Sequence, residues 1–201
     1  SNGNIDFNFE ENIKSLIGEK MVKSKKRTAE LKRDTKESSI FVKLNLDGNG
    51  VSKIDTQIGM LTHMLEQISK HGSIDLTVTA KGDIETGPHH LIEDTAIVLG
   101  RCLDMSLGER VGITRMSDCK VVLDEALTEV VMDLGGRGYH DISIIPSNQI
   151  GEFPTDLARH FFESLSVESK MSLHISVLKG KNEHHIIEAT FKAFARALKS
   201  A

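Results

Sequence analysis

The sequence predicts an internally duplicated α+β fold: two β-β-α-β-α halves, each a four-stranded sheet with helices on one face. Three observations lead there. A His-His-x-x-Glu block occurs twice, as His89-His90-Leu91-Ile92-Glu93 and His184-His185-Ile186-Ile187-Glu188, each opening an apolar-periodic segment. The fifteen residues that start at each block, HHLIEDTAIVLGRCL and HHIIEATFKAFARAL, share seven identities. Upstream, Leu76-Thr77-Val78-Thr79 stands at the same distance from His63 as Leu173-His174-Ile175-Ser176 from His160, and Lys81-Gly82 answers Lys179-Gly180 with one residue inserted.

Residues 1–26 read as a polar tail or linker with a short helix near Glu10 to Val22, and the basic stretch from Lys23 to Arg33 reads as a solvated linker. The domain spans 27–201 in two pseudo-repeats, about 27–112 and 113–201. Ile40, Val42, Leu44 and Leu46 alternate as a half-buried strand, and Asp47-Gly48-Asn49-Gly50 turns the chain into a returning strand at Val51 to Asp55. Leu61, Met64, Leu65 and Ile68 follow helical spacing, ended by Gly72. A strand from Ile74 to Lys81 follows, and Gly87-Pro88 breaks the chain before a helix starting near His89. In the second half Cys119 to Leu134 is strand-rich with a bulge, and Tyr139 to Ile145 returns. Thr155 to Ser166 is helical, Met171 to Leu178 a strand and His184 to Lys199 a helix.

A chain of 201 residues, 39% apolar and 27% charged, suits one globular core. Its net charge of −4 gives no electrostatic reason to expect nucleic acid or an anionic membrane as partner. The absence of a long apolar run predicts no membrane helix, and two cysteines, Cys102 and Cys119, fit a reducing cytoplasm.

The repeated histidines carry the chemistry. Six of nine belong to the duplicated pattern, because His63 precedes the first block by 26 residues and His160 the second by 24. On a helix, residues four apart share a face while neighbours point about 100° apart. His89 and Glu93 therefore suit one divalent ion and His90 faces another; His184, Glu188 and His185 repeat the division. Pseudo-symmetry gives two sites, one of His89, Glu93, His160 and His185, the other of His184, Glu188, His63 and His90, each within one chain or shared between copies. Three imidazoles and a carboxylate leave positions open in an octahedral shell, which suits Mn2+, Zn2+ or Fe2+.

At these residues the chain resembles the imidazoleglycerol-phosphate dehydratase family. The likeness is carried by Arg33-x-Thr35-x-Glu37, Ile58 through Leu65, Lys81-Gly82-Asp83, both His-His blocks, Leu123-Asp124-Glu125-Ala126, Gly136-Arg137 and Phe191 through Leu198. Glu37-Ser38-Ser39-Ile40 and His160-Phe161-Phe162 look most like the dehydratase half of bifunctional enzymes that also carry an N-terminal histidinol-phosphate phosphatase. The resemblance implies left-handed crossovers, two Mn2+ per active site and a homo-oligomer of 24 subunits with sites between subunits. The reaction it implies removes water from D-erythro-imidazoleglycerol phosphate to give imidazole acetol phosphate in histidine biosynthesis.

By the same resemblance Glu37 is an acid/base group, positioned with help from His71 and Glu66, while Arg115, Arg137 and Lys192 contact the substrate or its phosphate. The residues before the first His-His pair and before His63, commonly acidic or Asn in the family, are Pro88 and Thr62, and Gly138 stands where Pro is usual. The family's Ser-x-Lys-Gly phosphate segment would fall past Ala201, so impaired turnover with metal binding intact is expected of this chain. Two other readings of the same residues are a two-metal phosphate-ester hydrolase and a metal-assembled module without catalysis.

Overall fold

A computed structural model describes residues 26–85, 87–144, 149–150 and 153–201. The helix expected near Glu10 to Val22 lies outside the described residues. Half one runs β1 (Thr28–Asp34), β2 (Ser38–Asn45), β3 (Ser52–Thr56), α1 (Gly59–Gly72), β4 (Asp75–Gly82) and α2 (His89–Leu107). Half two repeats it with β5 (Met116–Leu123), β6 (Ala126–Asp133), β7 (Tyr139–Ser143), then a short pair β8 (Gln149–Ile150) and β9 (Phe153–Pro154). It ends with α3 (Asp156–Glu168), β10 (Ser172–Lys179) and α4 (Glu183–Ser200).

Each half forms a four-stranded sheet, in the orders β1-β2-β4-β3 and β5-β6-β10-β7. In both, the crossover helix joins the two parallel strands, β3 to β4 through α1 and β7 to β10 through α3. The remaining pairs are antiparallel. The element order in each half is thus β-β-β-α-β-α, one strand more than the periodicity gave.

In half one that strand is β1, and it corrects the reading of Lys23 to Arg33 as a linker. Its outer face carries Glu30, Lys32 and Asp34, and its inner face offers only Ala29, Leu31 and Arg33, so the alternation is apolar at two positions. An edge strand of this kind protects itself from further pairing with charge. The bulge expected between Cys119 and Leu134 is likewise a tight hairpin: Leu123 pairs with Ala126 across Asp124-Glu125, with Asp124 at φ 47°. The irregularity lies instead in β10, between Val177 and Lys179.

Helices α1 and α2 cover sheet one, and α3 and α4 cover sheet two. The halves then meet helix on helix, α1 against α4 and α2 against α3, so the helices form one layer between the sheets. Its centre is aromatic: Phe162 lies 4.6 Å from Phe191 and 5.4 Å from Phe194, ring centre to ring centre, all fully buried. Each such side chain contributes about 1.5–3 kcal/mol of transfer free energy. Cys102 is buried and Cys119 half-buried, both as free thiols. Among the described residues no helix is long and apolar enough to cross a membrane.

The α2–α3 contact is close at one glycine. Gly100 stands where the second repeat carries Ala195, and a Cβ there would meet the Glu168 Cβ at 2.8 Å and the Leu165 carbonyl oxygen at 2.9 Å. Backbone cannot yield as a side chain can. Gly100→Ala is therefore expected to destabilise the fold by about 1–3 kcal/mol, read as a lowered urea midpoint, despite alanine's better helix propensity.

Candidate metal centre

The crossed packing of the halves decides which histidines meet. His63 on α1 reaches α4, where its Nε2 lies 3.2 Å from the Glu188 Oε2, and the His184 Nε2 lies 3.0 Å from the same oxygen. Donor atoms of His63, His184 and Glu188 all fall within 4.8 Å of one another. The pseudo-equivalent set sits across the α2–α3 contact. The His89 Nε2 is 3.4 Å from the Glu93 Oε2, and the His89 and His160 rings are 5.6 Å apart. This second triad is the more open: Glu93 is 42% exposed against 14% for Glu188.

Helical geometry places the other two histidines elsewhere. His90 stands edge-on to His89, ring centres 5.6 Å apart, with its Nδ1 3.5 Å from the Glu37 Oε2. His185 turns toward the β5–β6 hairpin, with Nδ1 2.8 Å from the Glu125 Oε2. The chain thus brings together the donor atoms of three of the four residues expected at one site, His63, His184 and Glu188; at the other, His89 contacts Glu93 and stands near His160, while His185 and His90 face Glu125 and Glu37.

Two of the ring orientations suit ligation. A ligating imidazole ordinarily gives its second nitrogen to an orienting partner. Here Nδ1 of His160 faces the Glu163 Oε2 at 3.1 Å and Nδ1 of His185 faces the Glu125 Oε2 at 2.8 Å, whereas at Nδ1 of His63 stands the Gln67 Nε2, a donor, at 3.5 Å, which does not orient that ring for ligation. The Nε2 atoms of His63, His89 and His184 point at carboxylate oxygen. Two imidazoles and one carboxylate, so aimed, are a donor set that fits a divalent transition metal.

Glu188 is ionised under all ordinary conditions. Burial alone would push its carboxyl up, but hydrogen bonds from Lys192 and His63, with the Lys192 charge, hold it at about 2. Lys192 lies one turn along α4, its Nζ 2.6 Å from the Glu188 Oε1. Because the folded value lies below the ordinary 4.5, Glu188 contributes stability above that pH, and the contribution disappears as pH falls through about 2. Thermal melting of metal-free protein is expected to show this acid slope, flattened in Glu188→Gln.

His71 stands two turns beyond His63 on α1. Burial first, then the charges of Lys192, Lys70 and Arg196, lower its pKa, so it is neutral at pH 7. It borders a cleft of about 570 Å3 lined also by Lys70, Asp118, Arg196 and Lys199. Glu66 is exposed one turn from His63. Arg115, at φ 75°, is held by Asp133 at 2.7 Å, and its backbone N–H donates to Ala201, beyond the end of α4. That is roughly 20 Å along the helix from Glu188. Arg137 acts on the same Asp133, so neither arginine is brought to the His63–His184–Glu188 group within one chain.

Sequence reasoning assigned no role to Glu163, Gln67 or Glu125. The first two were available from spacing, three and four residues after His160 and His63 on their helices. Glu125 was available only from the repeat, since it precedes β6 as Glu37 precedes β2.

The imidazoleglycerol-phosphate dehydratase family model matches residues 56–198. The chain belongs to that family. A relative named imidazoleglycerol-phosphate dehydratase from Methanococcoides burtonii is 53% identical over 87% of this chain and 92% of its own length. One from Frankia casuarinae is 46% identical over 87% and 90%. The crystal structure of the Staphylococcus aureus dehydratase superposes with a TM-score of 0.79 at 32% identity, covering 87% of this chain and 97% of that one. The duplicated α+β architecture is that of the family.

Proposed function

We propose that this chain dehydrates D-erythro-imidazoleglycerol phosphate to imidazole acetol phosphate, a cytoplasmic step of histidine biosynthesis, and that two Mn2+ ions are held at its two triads. One observation carries the reading: membership of the dehydratase family coincides with an imidazole–carboxylate set built across both halves, His63, His184 and Glu188 with donor atoms within 4.8 Å of one another, and its repeat equivalents His89, Glu93 and His160 stand as neighbours. Bound there, the ions would supply the Lewis acidity that eases loss of the substrate ring's N–H proton, so that the ring's electrons could expel the hydroxyl on the carbon attached to it. His63, His184 and Glu188 would hold one, and His89, Glu93 and His160 the other.

The fourth ligands come from neighbouring copies in this reading, His185 to the His89 triad and His90 to the His184 triad, which makes the protein a homo-oligomer; the family resemblance implies 24 subunits. Glu37, 61% exposed, is free to move a proton at the substrate carbon. Arg115 and Arg137, remote from the Glu188 triad of their own chain, would bind phosphate at a neighbour's.

The test is turnover of imidazoleglycerol phosphate with Mn2+, reading the ketone product. Phosphate release without ketone would overturn the lyase reading in favour of ester hydrolysis.

Lys192 offers a sharper check. An ammonium 2.6 Å from the Glu188 Oε1 competes with a cation for that oxygen, and the first repeat has Ile97 at the equivalent place. The charge is a cost to metal binding that contact with an anionic substrate offsets. Lys192→Ile is expected to bind Mn2+ at least as tightly while kcat/KM falls about 10- to 100-fold. Weaker Mn2+ binding with unchanged kcat/KM would reverse that assignment.

A further inference from the structure

The two glutamates that precede β2 and β6 are equivalent by the repeat yet are held differently. The Glu37 carboxylate lies 3.5 Å from the His90 Nδ1, and its backbone N–H donates to the Thr35 Oγ1 at 3.2 Å. The Glu125 carboxylate is engaged at both oxygens. Its Oε1 accepts the backbone N–H groups of Asn182 at 2.7 Å and Lys181 at 3.2 Å, and its Oε2 faces the His185 Nδ1 at 2.8 Å. Asn182 is also the N-cap of α4, its Oδ1 accepting the His185 backbone N–H at 3.2 Å. One carboxylate therefore ties the hairpin turn, the entry to α4 and the ring of His185 together.

We infer that Glu125 is a positioning residue: by accepting the Nδ1 proton of His185 it fixes that ring in the tautomer whose bare Nε2 is available to ligate a metal held by a second copy of the chain. The inference rests on the metal reading above and deepens it by naming the group that prepares the donated ligand. Two backbone N–H groups pin Oε1 as an acceptor, so Oε2 is the only oxygen left for the imidazole. A neutral imidazole that gives its proton at Nδ1 must leave Nε2 as a lone pair. The neighbouring Asp124 Oδ2 lies 3.7 Å from that Nε2, a distance that leaves it undirected by any hydrogen bond. The repeat has thus divided one ancestral role, Glu125 committed to a histidine and Glu37 left loose enough to exchange protons.

The arrangement makes Glu125→Gln an unusual probe. The amide oxygen must occupy the Oε1 position, because an NH2 group there would face two backbone N–H donors. The NH2 group then faces the His185 Nδ1 as a donor, and the ring must answer with Nδ1 bare and the proton on Nε2. The fold is retained, since both backbone hydrogen bonds survive; Glu125→Ala, which loses them, serves as the control for a purely structural role.

The experiment is histidine-selective 15N labelling of the metal-stripped protein, with Mn2+ titration and particle sizing of wild type, Glu125→Gln and His185→Ala. The expected result is a His185 switched to the Nε2–H tautomer in Glu125→Gln. With it, one class of Mn2+ sites should weaken about 10- to 100-fold, and assembly should be lost as in His185→Ala. An unchanged tautomer, or an Mn2+ titration matching wild type, would overturn the inference. A wild type that takes up no Mn2+ would instead sink the metal reading, and the tautomer would still decide whether Glu125 orients the ring.

Discussion

Stripping divalent metal with a chelator is expected to break the particle into smaller units and abolish turnover, both recovering when Mn2+ is returned. The reason lies in what one chain leaves unfinished. Each triad offers two imidazoles and one carboxylate, and the histidines that would complete them, His90 and His185, face Glu37 and Glu125. Rotating a ring does not bring His185 to its own chain's His89, because His89 opens α2, which packs on α3, whereas His185 opens α4, which packs on α1. In the proposed reading a second copy supplies the fourth protein ligand and substrate or water the rest of a six-donor shell, so binding and assembly are expected to be one equilibrium. Sizing with and without chelator, read beside a metal analysis, checks this. A particle unchanged in size after complete metal removal would place the ions within single chains and end the shared-site reading.

Much of this was legible in the sequence for a physical reason. A helix repeats every 3.6 residues, so the His-x-x-x-Glu spacing of 89 to 93 and 184 to 188 fixes a shared face whatever the rest of the chain does. The duplication then predicted the exchange that the structure displays, His63 with the second block and His160 with the first. Strand β2 was plain from its alternation and α1 from its spacing. By contrast β1 was hidden, because an edge strand needs only a weak apolar face and spends its other residues on charge. Glu125 was hidden differently: a hairpin turn reports its own geometry in sequence, and nothing in it marks contact with a ring 60 residues away. Arg115 and Arg137 had only the resemblance behind them, and the fold sets both beside Asp133, away from the Glu188 triad of their own chain.

Glu37→Gln should reduce kcat by about 10^2- to 10^4-fold while leaving Mn2+ binding and particle size as in wild type. Gln is close to Glu in volume and keeps a polar group near the His90 Nδ1, but it cannot take up and return a proton. The loop that carries it is secured without its carboxylate: the Thr35 Oγ1 accepts the backbone N–H groups of Glu37 and Ser38, and Arg33 and Ser38 both bind Asp94 on α2. Loss of turnover in that background is therefore a loss of proton transfer. Had Glu37 served His90 as Glu125 serves His185, the same substitution would release metal and dissolve the particle. Two glutamates at equivalent places in one repeat are thus expected to give opposite phenotypes on the same chemical change, Glu37→Gln silent in assembly and Glu125→Gln failing it. Matching phenotypes would mean that the copies never diverged and that the proton at the substrate carbon is moved by another group.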